Sequence, residues 1–259
     1  MDFTKPELPT AAEEALRGAD IVIVALPEDI ARSALPRIGP KLADDALFAD
    51  TLSVKQGFCD AVAAQHLRCE VLSINPMYAP TLEPRGRPVA WLEQRPGERT
   101  AWLRGRFENW GSRLVAVRPD EHDRVTAMVQ AATHAVVICH GMVCAEELPD
   151  LRTALELATP PFHAVLTLLA RVASLSPESY WDIQRSNPQA AKARRALATA
   201  ATDLDELVLS GEFEEFQDIL AGLADWLEPV RDDLADDCAS IFEHIGHAQT
   251  HTATPWRLQ

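Results

Sequence analysis

The chain has 259 residues, 47% apolar and 24% charged, and a net charge of -15 from 39 acidic and 24 basic side chains. This composition describes a globular protein of one large or two modest domains, not a disordered or fibrous one. It argues against a nucleic-acid backbone or an anionic membrane as partner, since both need a basic face, but not against a small anionic substrate, which needs only one or two cations. The N-terminus, MDFTKPELPT, lacks the basic and apolar regions of a secretory signal. No apolar run is expected to reach the roughly 18–20 residues that span a bilayer. The five cysteines are odd in number and form no C-x-x-C pair, so a reducing compartment, the cytoplasm, is expected. Cys139, His140 and Cys144 lie in AVVICHGMVCA, where apolar packing is the expected role and no metal site is assigned.

Taken in chain order, residues 19–26 (ADIVIVAL) form a continuous β-branched run that predicts a buried parallel strand. A helix follows over 28–42. Residues 46–51 (ALFADT) predict a strand, then a polar turn at Ser53–Lys55 and a helix over 57–66. Another strand covers 69–74 and stops at Asn75-Pro76. A strand over 88–92, a helix over 97–110 and a strand over 113–117 complete a βαβ rhythm, which predicts a parallel sheet covered by helices. Beyond Pro119 strand signals vanish. Ala, Leu and Glu recur at helical spacing, interrupted at Pro149, Pro160-Pro161, Pro177, Asn187-Pro188 and Gly211, which predicts packed helices. The expected organisation is a Rossmann-like domain over 1–118, a helical domain over 119–252 and a frayed tail over 253–259. The acidic residues between Asp203 and Asp237 read as solvated helix faces.

The order of short motifs carries a resemblance. ADIVIVALP, DTLSVKQG, SINPMYAP, PDEHDRVTAMVQAATHAVV and LLARVASLSPESYWDIQRSNPQA follow one another between Ala19 and Pro229. In that order they resemble the prephenate/arogenate dehydrogenase family. The resemblance implies α/β plus all-α architecture: a Rossmann-type sheet for NAD or NADP, then a helical domain that holds substrate and forms a homodimer. It implies oxidative decarboxylation of a cyclohexadiene. A histidine takes the hydroxyl proton, a serine supports it, and an arginine holds a substrate carboxylate.

Residue by residue, the family serine matches Ser53, for which a helix N-cap is an equal reading. The family arginine matches Arg171, whose place inside an apolar helix calls for a carboxylate partner, from the substrate or from the chain. His134 matches a helix histidine, where a substrate-side role and a core role stand level. The resemblance further implies Gln130 and Tyr78 on the substrate, and Leu26, Pro27 and Lys55 on the cofactor. For Glu121, His122 and Asp123 a cap or hinge at the domain junction is the expected role.

Two departures shape the functional expectation. Asn75 stands where the family has its catalytic histidine before Pro-Met, and an amide cannot carry a proton near neutral pH. None of the 11 glycines forms a G-x-G-x-x-G turn after a strand, so the pyrophosphate loop and the first Rossmann strand are expected to be missing, leaving the strand over 19–26 with an open edge. The best-matched activity is therefore oxidative decarboxylation of a 4-amino analogue in specialised metabolism, because an amine expels hydride with its own lone pair. One alternative is the standard 4-hydroxyl reaction of tyrosine biosynthesis with Glu28, Asp29 or His66 as base. The other is a relative that binds or transforms a small carboxylate without NAD(P).

Overall fold

The computed structural model describes residues 8–252; the expected tail over 253–259 lies outside the described residues. The order of elements is α1 (Thr10–Gly18), β1 (Ile21–Val24), α2 (Glu28–Ile38), a 3-10 turn (Gly39–Lys41), β2 (Leu47–Asp50), α3 (Gln56–Ala64), β3 (Glu70–Pro76), β4 (Pro88–Arg95), α4 (Glu98–Asn109) and β5 (Arg113–Ala116). Only α1 had no counterpart among the predicted elements of this half. Helices follow: α5 (Pro119–Thr126), a π-turn (Ala127–Ala132), α6 (Thr133–Glu147), α7 (Leu151–Glu156), α8 (Pro160–Ser174), α9 (Pro177–Ser186), α10 (Ala190–Ser210), α11 (Phe213–Leu227) and α12 (Arg231–Thr252).

The five strands run in sequence order across one sheet, with β1 at its edge. β1, β2 and β3 are parallel, as expected of strands joined through α2 and α3. The expectation of a parallel sheet fails at one place: β4 is antiparallel to β3, and β5 runs parallel to β4. The cause is local, since no helix separates β3 from β4 to carry the chain back across the sheet.

Side chains alternate across each strand and build two cores. Phe48 and Val71 point to one face, where they meet Ala31, Leu35, Phe58 and Val62 of α2 and α3. Leu47, Ala49, Leu72, Ile74 and Trp91 point to the other, against Leu103 of α4. The edge strand keeps Ile23 half exposed.

The chain divides into two compact units, residues 1–130 with 181–191 and residues 131–180 with 192–259. The compositional change near residue 118 comes earlier than this division, because α5 packs on α3 and stays with the sheet. The division falls within the π-turn. In the helical unit α8 packs against both α6 and α12. Gly141 permits the first of these contacts: a Cβ there would stand 2.6 Å from a Leu169 methyl. Much apolar surface in this unit is open, including Met142, Leu157, Leu209 and Trp226.

The expectation about bilayer-spanning runs needs correcting too. The continuous helical stretch Pro119–Glu147 is long and apolar enough to cross a membrane by length and composition. Scattered polar residues hide it from a search for uninterrupted runs. That property alone does not place the helix in a membrane.

Candidate active site

At the carboxyl ends of β2 and β3 the sheet unit holds a buried polar network. Asp50, the last residue of β2, is sealed in the core with Lys55. The Lys55 ammonium donates to Asp50 Oδ1 at 2.8 Å and to the Ile74 carbonyl at 2.7 Å. Burial pushes that ammonium below the usual lysine range, and Asp50 opposes the shift. Asp50 Oδ1 also accepts the Leu52 amide at 3.1 Å. Lys55 therefore ties the ends of β2 and β3 together and shapes the turn between them. Its expected cofactor role finds no support in this geometry, since the side chain is 0% exposed and its charge is paired. Ser53, on that turn, is exposed and has no polar partner among the described residues.

The first backbone amides of α3 are capped from a distant helix. Asp123 of α5 accepts from the Lys55 amide at 2.8 Å and the Gln56 amide at 2.9 Å. A carboxylate here satisfies donors that a helix start leaves open and complements its dipole. The same Asp123 carboxylate lies 2.9 Å from His122 Nδ1. His122 Nε2 lies 3.1 Å from the Nδ2 of Asn75, near the end of β3. Since an amide nitrogen only donates, Nε2 is the acceptor and the imidazole proton sits on Nδ1, facing Asp123. Asn187 closes the network: its Nδ2 donates to the Asp123 carbonyl at 2.8 Å and the Thr126 hydroxyl at 3.2 Å.

Asn75, His122, Asp123 and Asn187 are all at most 5% exposed. Sequence reasoning picked out Asn75 but gave His122 and Asp123 only a capping or hinge role, and read Asn187 as a helix breaker. Asp123 does cap a helix, but it is α3, 68 positions away, and not the junction helix α5, whose N-terminus has no side-chain cap. The link from His122 to Asn75 spans 47 positions, and no local pattern encodes it.

Leu26 packs on the α2–α3 core. Pro27 is exposed and precedes α2. Tyr78, just past β3, rests its ring on the α4-side core. Gln130 sits half-buried in the π-turn. Glu28, one of the weighed bases, has a carboxyl oxygen buried without a partner. Burial raises its pKa first, opposed by Arg32 and reinforced by Asp123 and Asp182. His66 lines a cavity of about 170 Å³ with Val62, Leu67 and Arg95, beyond the C-terminus of α3 and so away from the Asn75 network.

In the helical unit His134 of α6 is half-buried. Its ring meets Tyr180 edge to face, with centroids 4.9 Å apart. Its Nδ1 is sealed from solvent and has no hydrogen-bond partner among the described residues. Burial lowers its pKa, and Arg171 adds to the lowering. Arg171 of α8 is exposed, and among the described residues no carboxylate lies within ion-pair distance of it. Cys144 and His140 approach within 3.6 Å beside Phe162, while Cys139 is exposed.

Leu26 and Pro27 follow β1 at its carboxyl end, where open α/β sheets take their ligands, and offer an apolar edge there. No Gly-rich turn for the pyrophosphate occurs among the described residues, and the first turn of α2 is acidic, with Glu28 and Asp29.

Comparison with known proteins places these features in context. Residues 118–222 match the model of the prephenate dehydrogenase dimerization domain. The chain is 37% identical over 231 residues to 4-amino-4-deoxyprephenate dehydrogenase of Streptomyces pristinaespiralis, covering 89% of this chain and 78% of the relative. It is 26% identical to a probable arogenate/prephenate dehydrogenase of Methanocaldococcus jannaschii, over 80% of this chain and 48% of that longer protein. Among solved structures, Synechocystis arogenate dehydrogenase superposes with a TM-score of 0.65 at 19% identity, covering 86% of this chain and 81% of that one. The Aquifex aeolicus prephenate dehydrogenase, in complex with hydroxyphenyl propionate and NAD+, superposes with a TM-score of 0.58 at 20% identity, covering 88% and 80%.

Proposed function

The chain belongs to the prephenate/arogenate dehydrogenase family, and from that premise we propose that it oxidatively decarboxylates a prephenate-type cyclohexadienyl carboxylate bearing a 4-amino group. The observation that carries this reading is Asn75, a buried amide where the family resemblance expects a histidine base. With a 4-hydroxyl substrate, ejection of hydride is helped by removing the hydroxyl proton, and Asn75 cannot remove it. With a neutral 4-amine the nitrogen lone pair supports the charge that develops as hydride leaves. Loss of carbon dioxide returns an electron pair to the ring, which becomes aromatic, and no net proton is exchanged. The 37% identical relative whose name specifies the 4-amino substrate supports the same choice.

A nicotinamide dinucleotide, NAD or NADP, supplies the hydride acceptor when bound, and Leu26 and Pro27 are the residues that would hold its nicotinamide end. Ser53 offers a free hydroxyl beside the end of β2. Asn75 accepts a hydrogen bond from the substrate amine. In the helical unit, Arg171 takes a substrate carboxylate, the bidentate partner that its guanidinium lacks among the described residues. His134 enters as a neutral ring, and Gln130 and Tyr78 are assigned to the substrate through the resemblance. The open apolar surface of the helical unit supports a homodimer, the cytoplasm is the proposed compartment, and specialised metabolism is the proposed setting.

The test compares turnover of 4-amino-4-deoxyprephenate and prephenate, followed by nicotinamide reduction. The amine is expected to react faster by about 10²–10⁴, the typical worth of a positioned base. Asn75→His is expected to narrow that gap by raising the rate with prephenate. Equal rates on the two substrates in the unaltered protein overturn the reading.

A further inference from the structure

Resting on the functional reading above, we infer that His122 is a positioning residue that fixes which end of the Asn75 amide the substrate meets. An asparagine side chain has a donor end and an acceptor end of nearly equal shape, and rotation by half a turn exchanges them. Here Nδ2 is engaged by His122 Nε2 at 3.1 Å. Oδ1 has no donor among the described residues and is not among the sealed polar atoms. It is therefore the end of Asn75 left for a ligand: accepting an N–H from a neutral amine leaves that nitrogen's lone pair free to expel hydride, whereas the donor end would tie the lone pair up.

The orientation is set from outside the site. Asp123 accepts from the α3 amides of Lys55 and Gln56, which anchors its carboxylate. That carboxylate receives the His122 Nδ1 proton at 2.9 Å and so leaves Nε2 bare. A bare Nε2 accepts only, so it captures the amide nitrogen and rejects the amide oxygen. Asn187 and Thr126 hold the same helix turn in place, through the Asp123 carbonyl at 2.8 Å and the His122 carbonyl at 2.9 Å. The chain Asp123–His122–Asn75 thus passes on a hydrogen-bond direction, with no proton transferred.

Two measurements on the full chain test this. In ¹⁵N spectra of the histidine rings, with the His122 signals identified by their loss in His122→Gln, the neutral Nδ1–H tautomer is expected, with an Nε2 signal that shifts in Asn75→Leu. An Nε2–H tautomer, or an Nε2 signal indifferent to Asn75, overturns the inference, and this arm needs no substrate or cofactor. The second is a double-mutant cycle on the ratio of kcat/KM for the amine over prephenate. His122→Leu is expected to lower that ratio about tenfold in the Asn75 background, and to change it little in an Asn75→Asp background, where both carboxylate oxygens accept. His122→Gln, which restores an acceptor, is expected to recover part of the ratio. An equal loss in both backgrounds marks a merely structural histidine and overturns the inference. Absence of preference for the amine in the unaltered protein sinks the functional reading, while the ring spectra still decide the orientation.

Discussion

In the sheet unit, Lys55, Asp50, His122, Asp123 and Asn187 are buried and all engaged in hydrogen bonds. In the helical unit, Arg171 faces solvent with no carboxylate partner among the described residues, and His134 buries a ring nitrogen that bonds to nothing there. Apolar residues divide in the same way. Phe48, Leu72 and Trp91 are sealed in the sheet cores, while Leu157, Leu209 and Trp226 of the helices are more than 70% exposed. The sheet unit pairs the charges of this network within itself, and its buried atoms without a partner among the described residues, Glu28 Oε2 and the Ser73 and Ser112 hydroxyls, lie outside the network. The helical unit leaves charge, ring and apolar surface open among the described residues, as the ligand and second copy proposed for it require.

The sharpest way to break this contrast is Asp50→Ala. It leaves the Lys55 ammonium, 0% exposed, without its carboxylate. Removing one partner of a buried pair typically costs about 3–5 kcal/mol. Urea denaturation is expected to show a loss of that size, and the double change Asp50→Leu with Lys55→Met is expected to restore much of it. A loss below about 1 kcal/mol means that the pair is solvated and that the buried network does not depend on it.

Arg171→Met probes the other side. The residue is exposed and unpaired among the described residues, so stability is expected to change by less than about 0.5 kcal/mol. A hydrogen bond to a charged group contributes about 1.5–3 kcal/mol, so KM for the substrate carboxylate is expected to rise about 10- to 150-fold. A stability loss with unchanged KM turns Arg171 into a packing residue and removes the contrast.

How much of this was legible in the sequence follows from the range of each interaction. The strands after α1 were readable because β-branched runs end at local breakers: Pro27 after β1, and Asn75-Pro76 closing β3. The direction of β4 was not, since it depends on the short link after Pro76 lacking a helix. The placement of Lys55 was misread for a related reason. SVK looks like a polar turn, and only the pairing of β2 with β3 brings Asp50 and the Ile74 carbonyl to the lysine. Asn75 was found because it breaks a motif. Its partner His122 was not, because the contact joins a strand to a helix 47 positions away.

The smallest effect concerns His134, and it separates burial from charge within the helical unit. Its ring is held below the ordinary value of 6.5, first by burial and second by Arg171. As pH falls below about 6.5 the unfolded chain takes up this proton before the folded one does. Unfolding is then favoured, and stability is lost progressively until the pH passes the lowered folded value. Above 6.5 the ring is neutral in both states and contributes no slope. In Arg171→Met the repulsion is gone while burial stays, so an NMR titration of the ring is expected to show a pKa moved only part of the way back toward 6.5. A full return means that Arg171 was the main cause and the ring is better hydrated than its sealed Nδ1 indicates. No movement means that Arg171 is screened by solvent, and the helical unit's free charge then acts on a ligand alone.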